Sequence, residues 1–504
     1  MAAPVWSVDP RTGKQREQVA VEATAEDVDA AVRAAAAAIP PLADRSVRSR
    51  LLRAAAGALE ESAAEVVAAA DAETALGVPR LTGELARTAY QLRAFADVVD
   101  EGAFLDVIID HADPAAQPIP RPDLRRMKIP LGVVAVYAAS NFPLAFSVPG
   151  GDTVSALAAG CPVVVKAHPD HPATSALCAD LLRGAAVAVG LPADTVVLLH
   201  GFEAGVELVR HPLVAAAGFT GSIPGGRALY DAAAARPQPI PFYGELGSLN
   251  PVVVTEAAAA ERAEQIGTGL AGSFTLGAGQ FCTKPGLVLA PAGEDGDRLL
   301  AALTAAAGDA APGVLLDSRM RDNFLKGAAA RAALPGVSAP VAAAGEGETG
   351  VRPGFVTVGA GELDELLLEE CFGPLTVVVR YGSAAELAAV LDRLPGNLTA
   401  TAHLGEAEAA EEGGAAAALL GRLTALAGRV LVNGWPTGVA VAPAQHHGGP
   451  YPATTSTSTS VGGTAIERWL RPVAYQDTPP ALLPPELRDS NPLALPRRIN
   501  GTPA

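Results

Sequence analysis

The chain has 504 residues, 49% of them hydrophobic, enough for two or three domains with sizeable cores. A net charge of −17 argues against nucleic acid or an anionic membrane surface as partner, and the densest basic cluster, Arg121-Pro-Asp-Leu-Arg-Arg-Met-Lys128, is short. The cysteines Cys161, Cys178, Cys282 and Cys371 fit neither a zinc spacing nor a disulfide scaffold, which points to a reducing compartment.

The first residues lack a charged start followed by a long apolar run, so no signal peptide is expected. The apolar runs at 131–139 and 162–166 are too short to span a bilayer, and a cytoplasmic protein is expected. Thr24 can cap a helix whose first turn is acidic, and Ala-rich helices fill most of the span to Val99. Residues 111–128, rich in Pro and Asp, read as a loop or excursion. Strand-like runs then fall at 131–138, 162–166, 195–199, 214–219 and 240–246, separated by helical stretches. Short continuous apolar strands between helices imply a parallel sheet covered on both faces.

A second series begins at 251–255 and continues with helix 261–274, strand 286–289, helix 297–307, strand 375–380, helix 384–393 and strand 429–433. The boundary between two α/β domains therefore falls near Gly247. Residues 345–350 read as a flexible loop, and the Ser/Thr run at 454–460 as a loop without function. The Pro-rich tail from Pro479 reads as extended and suited to packing on another subunit. There is no internal repeat.

Chemistry-bearing residues stand at strand ends. Cys282 lies in Gly279-Gln-Phe-Cys-Thr-Lys284. A thiolate is a strong nucleophile, though most cysteines are simply buried. Glu245 ends a strand, where a carboxylate faces the crevice in which α/β sheets bind ligands and can act as a general base. Asn141 follows the strand at 131–138, and its amide can donate to an oxyanion or cap a helix. Lys166 ends the second strand and is one of five lysines. Phe219-Thr-Gly221-Ser222-Ile-Pro-Gly-Gly226 joins a strand to a helix, where glycines let backbone N–H groups approach phosphate. Glu369-Glu370-Cys371-Phe372-Gly373-Pro374 reads alone as an acidic helix end and a turn. The eight histidines form no metal pattern, and a satisfied loop histidine is the default reading for each.

Asn141-Phe-Pro, Glu245-Leu-Gly and Gly279-Gln-Phe-Cys282, in this order, resemble the aldehyde dehydrogenase superfamily over nearly the whole chain. The resemblance implies an α/β fold with two doubly wound parallel-sheet domains, one for cofactor (1–113 and 129–247) and one catalytic (248–450). A small β oligomerisation element with a C-terminal tail (114–128 and 451–504) would join homodimers or homotetramers. It implies Cys282 as nucleophile, Glu245 as deacylation base and Asn141 as oxyanion donor. It implies cofactor contacts from Lys166, Gly221, Ser222, Gly226, Glu370 and Phe372, a pocket of Phe142, Leu276, Phe281 and Thr283, and no metal.

Departures from the family pattern matter. Pro169 stands where many NAD-specific members carry Glu, so NADP is expected to be used, with NAD possible. Ser140 replaces a Trp, Ser248 replaces a Gly, and Lys284 stands where most members have a small residue. The stretch 149–153 lacks the lysine that in many members can relay protons, which leaves the proton route from Glu245 open. Two stretches, Ser140-Asn-Phe-Pro-Leu-Ala-Phe-Ser-Val-Pro-Gly-Gly-Asp-Thr and His447-Gly-Gly-Pro-Tyr-Pro-Ala-Thr-Thr, look like a branch acting on 2-oxoglutarate semialdehyde (2,5-dioxopentanoate). That branch borders NADP-linked fatty aldehyde dehydrogenases. A cysteine hydrolase, with a histidine beside Cys282, and a catalytically silent scaffold are the alternatives from other classes. The distal carboxylate of a semialdehyde acid needs a cation, and Lys284 is the nearest candidate in the sequence.

Overall fold

The computed structural model describes residues 2–504. Its first sheet has five parallel strands in the order Val196–Leu199, Val163–Lys166, Val133–Tyr137, Val214–Thr220, Phe242–Glu245. Chain order reverses beside Val133–Tyr137, which opens a crevice at the strands' carboxyl ends. Side chains alternate between two cores: Val134, Val136, Val163 and Val165 enter one, and Val133, Ala135, Tyr137 and Val164 the other. Burial on both faces is why the strands read as unbroken apolar runs.

The second sheet has seven strands: Ser338–Val341, Gly354–Gly359, Leu375–Tyr381, Leu287–Pro291, Val252–Val254, Asn397–His403 and Ala427–Val432. All pairs are parallel except the outer one between Ser338–Val341 and Gly354–Gly359. The sheet changes between Glu245 and Val252, so the strand that ends one sheet leads directly to an interior strand of the next. Helix Glu256–Thr275 covers one face, its start capped by Thr255, whose hydroxyl accepts from the Ala258 N–H.

Several elements differ from the sequence reading. Pro4–Asp9 and Lys14–Val21 form a hairpin at the start of the chain. Asn397–His403, which the sequence reading did not include, is a strand buried along its whole length despite Asn397, Thr399 and Thr401. Residues 344–346 and 350–352 pair as a hairpin where a flexible loop was expected.

The excursion and the tail also need correction. Leu124–Pro130 is a strand between Leu470–Gln476 and Val107–Asp110, and Arg497–Ile499 pairs in parallel with Val107–Asp110. Both segments thus pair with strands of the same chain. Leu483, Leu487 and Leu495 of the tail are buried in the first core. No helix among the described residues is long and apolar enough to cross a membrane.

Candidate active site

Cys282, Glu245 and Asn141 come from three elements and meet. Asn141 follows strand Val133–Tyr137 and is buried, and its Nδ2 donates to the Gln280 carbonyl at 3.0 Å. The next helix begins at Gly151 with Gly150 as its cap, so Asn141 caps nothing. Glu245 ends the edge strand of the first sheet and is 4% exposed.

Backbone geometry explains the Gly-Gln-Phe-Cys motif. Gly279 has φ +69°, and a Cβ there would lie 2.4 Å from the Gly373 backbone. Gln280 pins the turn, accepting from Leu316 N–H at 3.0 Å and donating to the carbonyls of Gly277 and Val314. Asn250 Nδ2 donates to the carbonyls of Cys282 at 2.8 Å and Lys284 at 2.9 Å. Asn397 Oδ1 in turn accepts from the backbone of Leu249 and Asn250. Asn250 and Asn397 were missed in the sequence; their only signal was an amide beside an apolar strand.

His447 was read as an ordinary loop histidine, and the structure corrects this. Its Nε2 lies 2.8 Å from Glu245 Oε1 and 3.6 Å from Cys282 Sγ. Ser460 Oγ donates to Glu245 Oε2 at 2.8 Å. The reactive atoms of Glu245, Cys282 and His447 all lie within 4.8 Å of one another. The Ser/Thr run is likewise no idle loop. Thr455 Oγ1 accepts from Gly244 N–H and donates to the Phe242 carbonyl, both at 2.8 Å, and Thr454 bridges Glu245. The Thr455 hydroxyl and the Thr454 backbone bridge satisfy the open edge of the strand that carries Glu245.

Charge follows from this packing. Burial alone would raise the Glu245 carboxyl, but the charge and hydrogen bond of His447, then Ser460 and the Cys282 thiol, outweigh it and hold the group below its ordinary value. Burial, then the Glu245 charge, pushes the Cys282 thiol well above its ordinary value. Cys161 and Cys178 are fully buried and their thiols pushed up by burial, to about 11 and about 12.

The crevice of the first sheet fits a dinucleotide. Ser222 caps helix Ile223–Ala234, and Gly221 is exposed at its start. A Cβ at Gly221 would meet the Phe219 ring at 2.7 Å, and one at Gly226 would meet Leu246 at 2.1 Å. The helix start therefore keeps bare backbone for a phosphate. Lys166 ends its strand mostly buried, which lowers its pKa. Glu370 lies against Gly247, where a Cβ would come 2.5 Å from its carboxylate, and burial pushes its carboxyl up to about 7. Phe372 is half-buried in the segment whose Gly373 packs on Gly279.

In the pocket, the Phe142 ring packs edge-on against Phe281 at 5.3 Å and Phe146 at 5.4 Å. Thr283 is buried and accepts from Gly438 N–H at 3.0 Å. Leu276 is 52% exposed, so it stands at the outer rim, not in the lining. Lys284 turns away: its Nζ donates to the carbonyls of Cys371 and Leu375 at 2.9 and 2.7 Å. It buttresses the loop and is spent as a carboxylate partner.

The aldehyde dehydrogenase family model matches residues 3–450. The chain belongs to the aldehyde dehydrogenase family. It is 49% identical over 468 residues to alpha-ketoglutaric semialdehyde dehydrogenase 2 of Azospirillum brasilense, covering 90% of this chain and 88% of the relative. It is 42% identical to alpha-ketoglutaric semialdehyde dehydrogenase of Acinetobacter baylyi, covering 95% and 92%. The crystal structure of gamma-glutamyl-gamma-aminobutyraldehyde dehydrogenase from Burkholderia cenocepacia shares the fold, with TM-score 0.79, 22% identity and 94% of each chain covered. The chain spans 45% of the proline utilization A protein of Bradyrhizobium japonicum, at TM-score 0.77 and 25% identity.

Proposed function

We propose that this aldehyde dehydrogenase oxidises 2-oxoglutarate semialdehyde to 2-oxoglutarate through a thioester on Cys282. The observation that carries the chemistry is the meeting of thiol, carboxylate and carboxamide at one point, with Asn141 beside the Cys282 turn and Glu245 at the thiol. Identity to the Azospirillum relative along both chains supports the substrate.

The Cys282 thiol ionises, its proton passing to solvent, and Sγ adds to the aldehyde carbon. Asn141 Nδ2 and the Cys282 backbone N–H hold the oxyanion; one such donor is worth about 3 kcal/mol in a dry site. Lys166, Gly221, Ser222, Gly226, Glu370 and Phe372 would hold the dinucleotide, which when bound accepts the aldehyde hydrogen and so leaves a thioester. Glu245 then takes a proton from the attacking water, the C–S bond breaks, and the acid leaves. His447 and Ser460 touch both carboxylate oxygens and provide the outward proton route for which the sequence offered no lysine.

NADP is the expected cofactor. Pro169 presents no carboxylate to a ribose 2′-phosphate, and the carboxyl of adjacent Asp170 is raised by burial and by facing Asp317. NADP turnover should at least match NAD, and Pro169→Glu should penalise NADP selectively; an equal effect on both would refute the assignment.

The Cys282–His447 distance of 3.6 Å favours one second reading, a cysteine hydrolase. Reduced-cofactor absorbance with a panel of aldehydes and both dinucleotides separates the two. No signal with any pair sinks the dehydrogenase reading here. A hexanal kcat/KM above that for 2-oxoglutarate semialdehyde would leave a general or fatty aldehyde dehydrogenase.

A further inference from the structure

Helix Val78–Glu101 carries two arginines on one face, Arg80 and Arg87, two turns apart. Both are stacked on the pocket aromatics. Arg80 Cζ lies 5.0 Å from the Phe142 ring centre and 4.6 Å from that of Phe281, the residue before the nucleophile. Arg87 Cζ lies 5.3 Å from the ring centre of Phe146, whose other neighbours are Phe142 and, at 6.0 Å, His447. The charges of Cys282 and Glu245 reach Arg87.

Among the described residues their donors are not used up. Arg80 Nη2 donates to the Asn141 carbonyl at 2.7 Å, but its Nη1 is buried without a partner. Arg87 Nε makes one long bond, 3.4 Å to the Val439 carbonyl, and both its Nη1 and Nη2 are buried without partners. Glu84 lies between them on the helix and its charge acts on both, yet it makes no hydrogen bond to either among the described residues. Its Oε1 accepts from the Leu144 and Ala145 N–H groups, its Oε2 has no partner, and burial disfavours its ionised form. Idle buried guanidinium groups are costly. By contrast, Arg429 Nη1 and Nη2 are committed to the carbonyls of Gly438 and Pro436.

We infer that Arg87, assisted by Arg80, is the binding site for the distal carboxylate of the substrate, an aldehyde bearing an acid at its far end. The inference rests on the semialdehyde reading above and supplies the cation that Lys284 does not. In 2-oxoglutarate semialdehyde the carboxylate carbon lies four carbon–carbon bonds from the aldehyde carbon, a reach of about 5 Å when extended. With the aldehyde at Cys282, the acid would extend along Phe142 and Phe146 toward the helix. A planar guanidinium with two free Nη donors matches a carboxylate bidentately. Phe142 and Phe281 would flank the methylenes.

The test compares kcat/KM for 2-oxoglutarate semialdehyde and for hexanal in the wild type, Arg87→Met, Arg80→Met and Arg87→Lys, with NADP saturating. The ratio of acid to hexanal should fall about tenfold to a hundredfold in Arg87→Met, through KM of the acid, and less in Arg80→Met. Arg87→Lys keeps charge but loses the fork, so its ratio should lie between wild type and Arg87→Met. If Arg87→Met does not fold, Arg87→Lys carries the test, with a threefold or greater loss expected. A wild type that prefers the acid while the Arg87 variants keep its ratio overturns the subsite and leaves the function standing. A wild type that prefers hexanal overturns the semialdehyde reading itself.

Discussion

At the scale of single residues, Glu245 is made by its neighbours. Its carboxylate receives His447 and Ser460, stays ionised despite burial, and thereby makes the Cys282 thiol harder to ionise. The sign is testable. A thiol whose pKa is raised alkylates slowly at neutral pH and faster as pH rises. Glu245→Gln removes a negative charge, so the thiolate forms at lower pH and iodoacetamide modification at pH 7 should accelerate. A curve displaced to higher pH would contradict the electrostatics. The same variant should keep a burst of reduced cofactor while its steady state slows, because it lacks the base for water but not the nucleophile. His447→Asn should slow the steady state too and alter its pH profile, as a relay would; loss of the burst with turnover would place His447 in acylation instead.

At the scale of elements, the nucleophile turn and the Phe-Gly-Pro segment are one construction. Gly279, at φ +69°, touches the Gly373 backbone, and Gly373, at φ +126°, touches Phe324. Gly279→Ala should cost about 1–2 kcal/mol for the left-handed backbone alone, and the 2.4 Å overlap must move Cys282 as well. Differential scanning should show a lowered Tm, and kcat should fall more than stability implies. Thr455→Val tests the edge clamp. It removes two hydrogen bonds to the Glu245 strand, at about 1 kcal/mol each, and should loosen the base without touching substrate. Unaltered Tm and kcat would show that the clamp is idle.

At the scale of the whole molecule, the tail belongs to its own chain. Deleting residues 479–504 would bare the Val107–Asp110 edge and the contacts of Leu483, Leu487 and Leu495. Each buried leucine contributes about 1.5–3 kcal/mol, so the truncated protein should melt far earlier or aggregate. A homo-oligomer is expected to use the strand edges left open. Leu470–Gln476 is the outermost strand of the small sheet, and Ala427–Val432 ends the seven-stranded one. Such edges seek a partner, and light scattering should report a dimer or tetramer; a monomer would contradict this.

The sequence by itself determined the parallel sheets, because strands buried on both faces must be apolar throughout, and Val133–Tyr137 or Leu287–Pro291 could be nothing else. It also determined the nucleophile, base and amide as candidates, because each stands at a strand end beside turn-forming glycines or prolines. Only the tertiary structure decided what surrounds them. His447 and Ser460 lie 202 and 215 residues from Glu245, Arg87 stacks on the ring of Phe146, and Thr399 is buried in a strand. Local patterns record which way a side chain faces along its own element. They carry nothing about which distant group fills the space opposite, and that pairing fixes the protonation of Glu245, turns Lys284 inward and leaves Arg87 with idle donors.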